Sequence, residues 1–426
     1  MNSTTFAGRR LSALWTSQSA LFAAILMAVM PPTLAGASGP ARDDPSWIST
    51  WGASPQTTAA PLSIDGQTLR QVAHVSLGGE RLRVRFSNAF GTTSLAISEA
   101  RVAISAGGSA IIPSTDRPVT FGGSLATTIP PGALVVSDPV ELEVPALADV
   151  AVSLYFPGPV SVTTEHSLAV QTSFLSPAGD FAGATSLPSG STTTTSWYFL
   201  NGIEVTPGSP HPGAIVTLGD SITDGYASTV DANHRWPNFL AARLQAKRQT
   251  SGLAVVDEGI SGNRILHDLV GPNALARFDR DVLAQSGARW VIVLESINDI
   301  GIPGAFGLAS QDVTAEQIIE GHRQLVERAH GRGLTIYGGT LTAFEGTLFP
   351  GYFTPAGEAK RKAVNEWIRT SGAYDAVIDF DMATRDPTHP ARLNPAFDSG
   401  DHLHPNDAGY EAMAKAVDLG LFDRSP

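Results

Sequence analysis

The spacing of apolar residues changes near residue 210, and this change limits what the chain can fold into. From Trp47 to about Thr206 the runs are short and strand-like. Leu82-Arg83-Val84-Arg85-Phe86 alternates apolar and polar residues, and Val150, Val152, Leu154 and Phe156 share one face of another run. Turn residues separate these runs, at Gly78-Gly79, Pro130-Pro131-Gly132 and Pro157-Gly158-Pro159. A period of two broken by Gly and Pro predicts antiparallel sheets, so 47–206 reads as an all-β sandwich, jelly-roll-like, domain. The stretch from Ser189 to Ser196 reads as an exposed loop near the boundary.

From Ala214 onward, buried-type runs alternate with helical patterns. Ala214 to Leu218, Leu253 to Val256, Trp290 to Leu294, Leu334 to Tyr337 and Ala376 to Phe380 read as strands. Between them, Ile318, Leu325, Val326 and Ala329 fall on one helical face. Ala359, Ala363, Val364, Trp367 and Ile368 do the same, after Thr354 as N-cap and Pro355 in the first turn. Such alternation implies βαβ units and a parallel α/β sheet covered on both faces, here over 210–426. Ligands of such sheets sit beyond the carboxyl ends of the strands. A length of 426 residues accommodates both regions as separate domains.

Charge and cysteine content exclude several function classes. The net charge of -12, with no Lys/Arg cluster, disfavours nucleic acid and anionic membrane as partners and points to a small or neutral one. The absence of Cys removes disulfides, thiolate metal sites and cysteine nucleophiles. At the N-terminus, Arg9 and Arg10 precede the apolar run Leu21 to Met30, followed by Ala35-Gly36-Ala37. This is the order of a secretory signal cleaved near residue 37, which predicts a secreted or periplasmic protein without stable membrane insertion. The run is shorter than the roughly 20 residues of a spanning helix, which sets it apart from a membrane anchor.

Four short motifs follow predicted strands or precede the last helix. Gly219-Asp220-Ser221-Ile222-Thr223-Asp224-Gly225 sits at a strand-to-helix turn. A Ser there can present its hydroxyl at the sheet edge and its N–H to an oxyanion. The same run also fits plain helix capping; it lacks the Lys and spacing of a phosphate loop and the second Gly of the Gly-x-Ser-x-Gly elbow. Gly259-Ile260-Ser261-Gly262 and Glu295-Ser296-Ile297-Asn298-Asp299 follow the next two strands. Gly262, or alternatively Gly259, and the Asn298 amide are candidate oxyanion donors. Asp401-His402-Leu403-His404-Pro405-Asn406 precedes the last helix. There His404 suits a general base for a weak hydroxyl nucleophile, with Asp401 to orient it. Capping by Asn406 and Asp407, and metal ligation by Asp398, Asp401, His402 and His404, are the competing readings. That nucleophile, oxyanion donors and base fall on one sheet edge in chain order favours a serine hydrolase.

On Ser221, Gly262, Asn298 and His404, with Asp401 three before the His, the chain resembles the SGNH hydrolases, also called the GDSL esterase/lipase superfamily. The resemblance covers about Ile215 to Leu421 and implies a flavodoxin-like three-layer α/β/α domain. It also implies carboxylic ester hydrolysis with Ser221 as nucleophile and Asp401 and His404 completing a triad. Ser221, Gly262 and Asn298 would form the oxyanion hole, with no metal or other cofactor. One departure stands out: Ser296-Ile297 precede Asn298 where the family usually has a Gly, which puts the local backbone in question. Trp47-Ile48-Ser49-Thr50-Trp51-Gly52-Ala53-Ser54-Pro55 marks a similarity to a secreted subgroup with an N-terminal β-domain. Some members of that subgroup are carbohydrate esterases, which makes a small ester or acylated saccharide the expected substrate. A lipase, an arylesterase, a general carboxylesterase and a non-catalytic carbohydrate-binding protein are the alternatives.

Overall fold

The computed structural model describes residues 47–209 and 211–423; the expected leader, 1–37, lies outside them. The first region contains strands β1 (Ile48–Gly52), β2 (Gln67–His74), β3 (Gly79–Ser87), β4 (Glu99–Gly107), β5 (Val140–Val144), β6 (Asp149–Phe156), β7 (Ser173–Ala178) and β8 (Leu200–Val205). These and shorter strands form two antiparallel sheets. One runs β1-β8-β3, with β5 also on β3; the other has β7-β2-β6-β4 at its centre. The alternation read from the sequence places the core faces. Leu82, Val84 and Phe86 on β3, and Val150, Val152, Leu154 and Phe156 on β6, are all fully buried. Each such side chain contributes roughly 1.5–3 kcal/mol by leaving water.

The opposite, polar face of β3 is also covered. Arg85 is buried, reaching Glu204 on β8 and the side chain of Gln285 in the second region. The stretch from Ser189 to Ser196 departs from the loop expectation. Thr192–Thr194 forms an exposed edge strand on β7, where β-branched threonines suit an extended backbone.

The second region is a five-stranded parallel sheet. Its strands are β9 (Gly213–Gly219), β10 (Leu253–Gly259), β11 (Ala288–Leu294), β12 (Thr335–Gly339) and β13 (Ala376–Ile378), in the spatial order β10-β9-β11-β12-β13. This is the flavodoxin-like order, whose switch point lies beside the first strand. The main helices are α1 (Ser221–Asp224), α2 (Trp236–Gln245), α3 (Ile297–Ala305), α4 (Ala315–His330), α5 (Pro355–Thr370) and α6 (Asp407–Ala416). α2 packs with α6, and α4 packs with α5, giving the helical layers of a three-layer α/β/α domain.

Two expectations for this region need correction. Phe380 does not end the last strand; it begins a short helix, Phe380–Thr384, capped by Asp379. On α5, Thr354 caps the helix as expected, and Val364 and Ile368 are buried, but Ala359 and Ala363 are exposed. Glu358, Arg361 and Asn365 take the inner face instead. Arg361 pairs with Glu358 and Asp381 at 2.7 and 2.8 Å, and Asn365 accepts from the Leu341 N–H at 2.7 Å. Apolar periodicity does not reveal a helix face buried through paired polar groups.

One hydrophobic core runs through both regions, and polar contacts join them at β10. The Val255 N–H, on the outer edge of β10, donates to Ser76 Oγ at 2.9 Å. Ser54 Oγ lies 2.5 Å from Glu258 Oε2 and accepts from Arg277 Nη1 at 2.9 Å. The β-region thus covers what would otherwise be an open sheet edge.

Candidate active site

The carboxyl ends of β9, β10 and β11 are in register. Gly219 pairs with Gly259 on one side and with Leu294 on the other. The chain leaves all three strands at one level, so Ser221, Gly262 and Asn298 emerge at one edge, beside the switch point.

Ser221 opens α1. Asp220 caps this short helix through Oδ1, which accepts the Ile222 N–H at 2.9 Å. The turn requires glycine at 219: a Cβ there would lie 2.2 Å from Thr223 Oγ1 and 2.5 Å from the Leu294 carbonyl. Burial raises the Asp220 carboxyl to about 7; the Ile222 N–H works against this shift, and neighbouring Asp299 and Asp224 add to it.

Ser221 Oγ lies 2.8 Å from His404 Nε2, and His404 Nδ1 lies 2.6 Å from Asp401 Oδ2. Asp401 accepts two further hydrogen bonds on Oδ1, from the N–H groups of Leu403 and His404 at 2.9 and 2.8 Å. Burial alone would raise the Asp401 carboxyl. The His404 ring and these two amides outweigh it and hold the group below the usual carboxylate range. With Asp401 ionised, Nδ1 carries a hydrogen and Nε2 faces the Ser221 hydroxyl as acceptor. The four groups weighed as metal ligands separate into two pairs, because His402 Nδ1 turns to Asp398 and not to Asp401. Asn406 also caps α6, accepting from the Gly409 N–H at 2.9 Å.

In the second loop the two glycines differ in what their N–H groups meet. The Gly259 N–H is engaged by Asp257 Oδ1 at 3.0 Å. Gly262 takes φ +80°, which suits glycine, and its flanks are pinned. The Ser261 N–H donates to Asp224 Oδ2 at 2.8 Å, and the Asn263 N–H to the Ile260 carbonyl at 3.0 Å. Among the described residues, no protein acceptor takes up the N–H of Ser221 or of Gly262.

Asn298 lies in the first turn of α3 and is buried. Its Nδ2 donates to the Asn263 carbonyl at 2.9 Å, and its Oδ1 accepts from Tyr352 Oη–H at 2.7 Å. The first contact fixes the amide orientation and leaves its second hydrogen for another acceptor. Ser296, two residues before Asn298, takes a φ of +106°, a conformation that favours glycine. Its hydroxyl lies 3.0 Å from His322 Nε2, whose Nδ1 lies 2.6 Å from the Tyr374 hydroxyl. Burial lowers His322 to about 4, so it is neutral at ordinary pH.

Several contributors are not evident from the short motifs. Tyr352 lies far from Asn298 in sequence and orients its amide. Tyr226 is exposed and packs its ring 4.3 Å from the His404 ring. Asp224 carries a signal that was present, the second acid of the Gly219–Gly225 run; its partner His166 lies in the β-region, 2.9 Å away. Burial would lower His166, but the Asp224 charge and hydrogen bond raise it above its ordinary value.

The family model of the GDSL-like lipase/acylhydrolases matches residues 217–412. No curated protein matches the chain. Among solved structures, a GDSL-like lipase from Bacteroides thetaiotaomicron is similar at 19% identity, covering 50% of this chain and 92% of that one, with a TM-score of 0.37. An acetylxylan esterase from Geobacillus stearothermophilus is similar at 22% identity, covering 49% and 94%, with a TM-score of 0.38. An alpha/beta hydrolase enzyme from the metagenome of Lake Arreo, Spain, is similar at 22% identity, covering 48% and 92%, with a TM-score of 0.37. With the parallel sheet and its motif-bearing edge, the match over 217–412 makes this part of the chain a domain of the GDSL-like lipase/acylhydrolase family.

Proposed function

We propose that the protein is a secreted serine ester hydrolase that works through an acyl-enzyme, with short-chain (acetyl) esters of carbohydrates as its substrates. The observation that carries the chemistry is the chain Ser221 Oγ–His404 Nε2–Asp401, at 2.8 and 2.6 Å. In this reading His404 takes the Ser221 proton as Oγ bonds to the ester carbonyl carbon. The carbonyl oxygen becomes an oxyanion, which accepts from the N–H groups of Ser221 and Gly262 and from Asn298 Nδ2. His404 then protonates the leaving alcohol as the carbon–oxygen bond breaks. Water, deprotonated by His404, releases the acid and restores Ser221. Asp401 keeps the His404 ring oriented and stabilises the imidazolium.

The carbohydrate part rests on the similarity carried by Trp47 to Pro55, and secretion rests on the leader-like residues before Ala37. One observation favours a second reading, an arylesterase or lipase: Tyr226, Leu348 and Phe349 are exposed apolar side chains near the triad. Tyr226 and Phe349 both contact the His404 ring, at 4.3 and 6.3 Å between centroids.

Ser221→Ala is expected to abolish p-nitrophenyl acetate hydrolysis while the protein stays folded by circular dichroism. Full activity in that variant would exclude the mechanism. A substrate panel of acetylated xylan, sugar acetates, feruloyl esters and longer acyl esters separates the two readings.

A further inference from the structure

A buried histidine of the β-region reaches the loops of the candidate active site. His166 lies on a short strand, Thr164–His166, and is almost fully buried. Both ring nitrogens face acceptors: Nδ1 lies 3.0 Å from the Ser54 carbonyl and Nε2 lies 2.9 Å from Asp224 Oδ1. A histidine between a carbonyl and a carboxylate uses both nitrogens as donors, which makes it an imidazolium paired with Asp224. Trp197 packs beside the ring at 5.5 Å and helps exclude water from the pair.

Asp224 stands between two backbone donors of the site. It lies three residues after Ser221 on α1, and its Oδ2 accepts both the N–H and the hydroxyl of Ser261 at 2.8 Å. Ser261 immediately precedes Gly262. The carboxylate therefore ties the helix of one donor to the loop of the other. A second contact grips the same place: Arg235 Nε donates to the Asp224 carbonyl at 2.7 Å, and its guanidinium also reaches the Ala169 carbonyl of the β-region. Nothing in this arrangement brings His166 to the reacting atoms.

We infer that His166 is a positioning residue of the β-region that acts through Asp224 and Ser261 to set the spacing of the Ser221 and Gly262 amides. The β-region is then part of the catalytic machinery and not an appendage. Without the imidazolium, Asp224 is a buried carboxylate missing one donor, and its hold on Ser261 relaxes toward whatever else can solvate it. An oxyanion hole displaced by a fraction of an ångström lowers kcat more than substrate affinity, because the oxyanion exists only beyond the ground state.

This inference rests on the ester-hydrolase reading, and a double-mutant cycle on the full chain tests it. His166→Ala, Ser261→Ala and the double variant are compared on p-nitrophenyl acetate, with His166→Gln as the conservative variant. The expected result for His166→Ala is a fall in kcat of about tenfold or more with KM little changed. His166→Gln, which keeps an N–H donor toward Asp224, recovers most of that loss. The double variant falls by less than the product of the two single effects, because both substitutions weaken the same Asp224–Ser261 contact. Where His166→Ala does not fold, His166→Leu, which fills the space without a donor, replaces it in the cycle. A folded His166→Ala or His166→Leu protein with wild-type kcat, a loss confined to KM, or additive effects would overturn the inference. Inactivity of the wild type on every ester instead counts against the ester-hydrolase reading.

Discussion

Two loops at this sheet edge need the same unusual backbone and obtain it differently. The loop after β10 places Gly262 at φ +80°, and glycine adopts that conformation without a steric penalty. The turn after β11 places Ser296 at φ +106°, where a side chain is strained by about 1–3 kcal/mol. The serine offsets that strain with a buried hydrogen bond to His322, itself held by Tyr374. The bracing differs too. The Gly262 loop hangs on Asp224 and, through His166, on the β-region, whereas the Asn298 turn is braced within the α/β domain by Asn263, Tyr352 and α4. A position at positive φ can accept a residue other than glycine when a buried partner offsets part of the strain.

The strongest way to break the comparison is to remove the donor at the end of the second turn. Asn298→Ala takes away an amide and also leaves the Asn263 carbonyl and the Tyr352 hydroxyl without their partner. We expect kcat to fall by about 10²–10³, roughly 3–4 kcal/mol of transition-state stabilisation. Steady-state kinetics on p-nitrophenyl acetate decide it, and a fall of less than about fivefold would remove Asn298 from the oxyanion hole.

Next in size is a pH effect on stability from the brace behind Ser296. His322 titrates near 4 in the folded protein against an ordinary value of 6.5. The sign follows from proton counts: between these values the unfolded chain binds a proton that the folded protein refuses, so stability falls as pH falls through that window. The contribution is about 3 kcal/mol across the window. Urea midpoints at pH 7 and pH 4.5 should show it in the wild type, and His322→Leu should have a flatter slope. Equal slopes would mean that His322 is not kept neutral by its burial.

The smallest and most discriminating effects come from exchanging the two solutions. Gly262→Ala puts a Cβ 2.9 Å from Val270 Cγ2 at a positive φ, and we expect a loss of about 1–2 kcal/mol in stability with lower kcat. Ser296→Gly relieves the strain but abandons His322 Nε2, so the two changes nearly cancel to within about 1 kcal/mol. Melting curves and kcat for the pair sharpen the comparison. A large loss in Ser296→Gly would show that the hydroxyl contact, and not the backbone shape, is what the turn depends on.

Much of this was legible in the sequence. The change of period near residue 210 separates the antiparallel sheets from the parallel one, because side-chain alternation and helical spacing are local properties. Ser221, Gly262, Asn298, Asp401 and His404 are readable as candidates because each follows a strand or precedes a helix in a short recognisable run. The polar inner face of α5 was not legible, since Glu358, Arg361 and Asn365 are buried only by virtue of partners distant in sequence. Nor was the strand at Thr192–Thr194, which exists because β7 offers it an edge.

The sequence by itself determined the two folding periods, the order of the strands along the chain and which residues are candidates for the chemistry. Only the tertiary structure decided that Ser221 lies 2.8 Å from His404, that Gly262 and not Gly259 has an unengaged N–H, and that His166 reaches across from the β-region to Asp224. The physical reason is range: period, capping and turn chemistry act over a few residues. The position of a buried proton or an oxyanion donor depends on groups brought together from opposite ends of the chain.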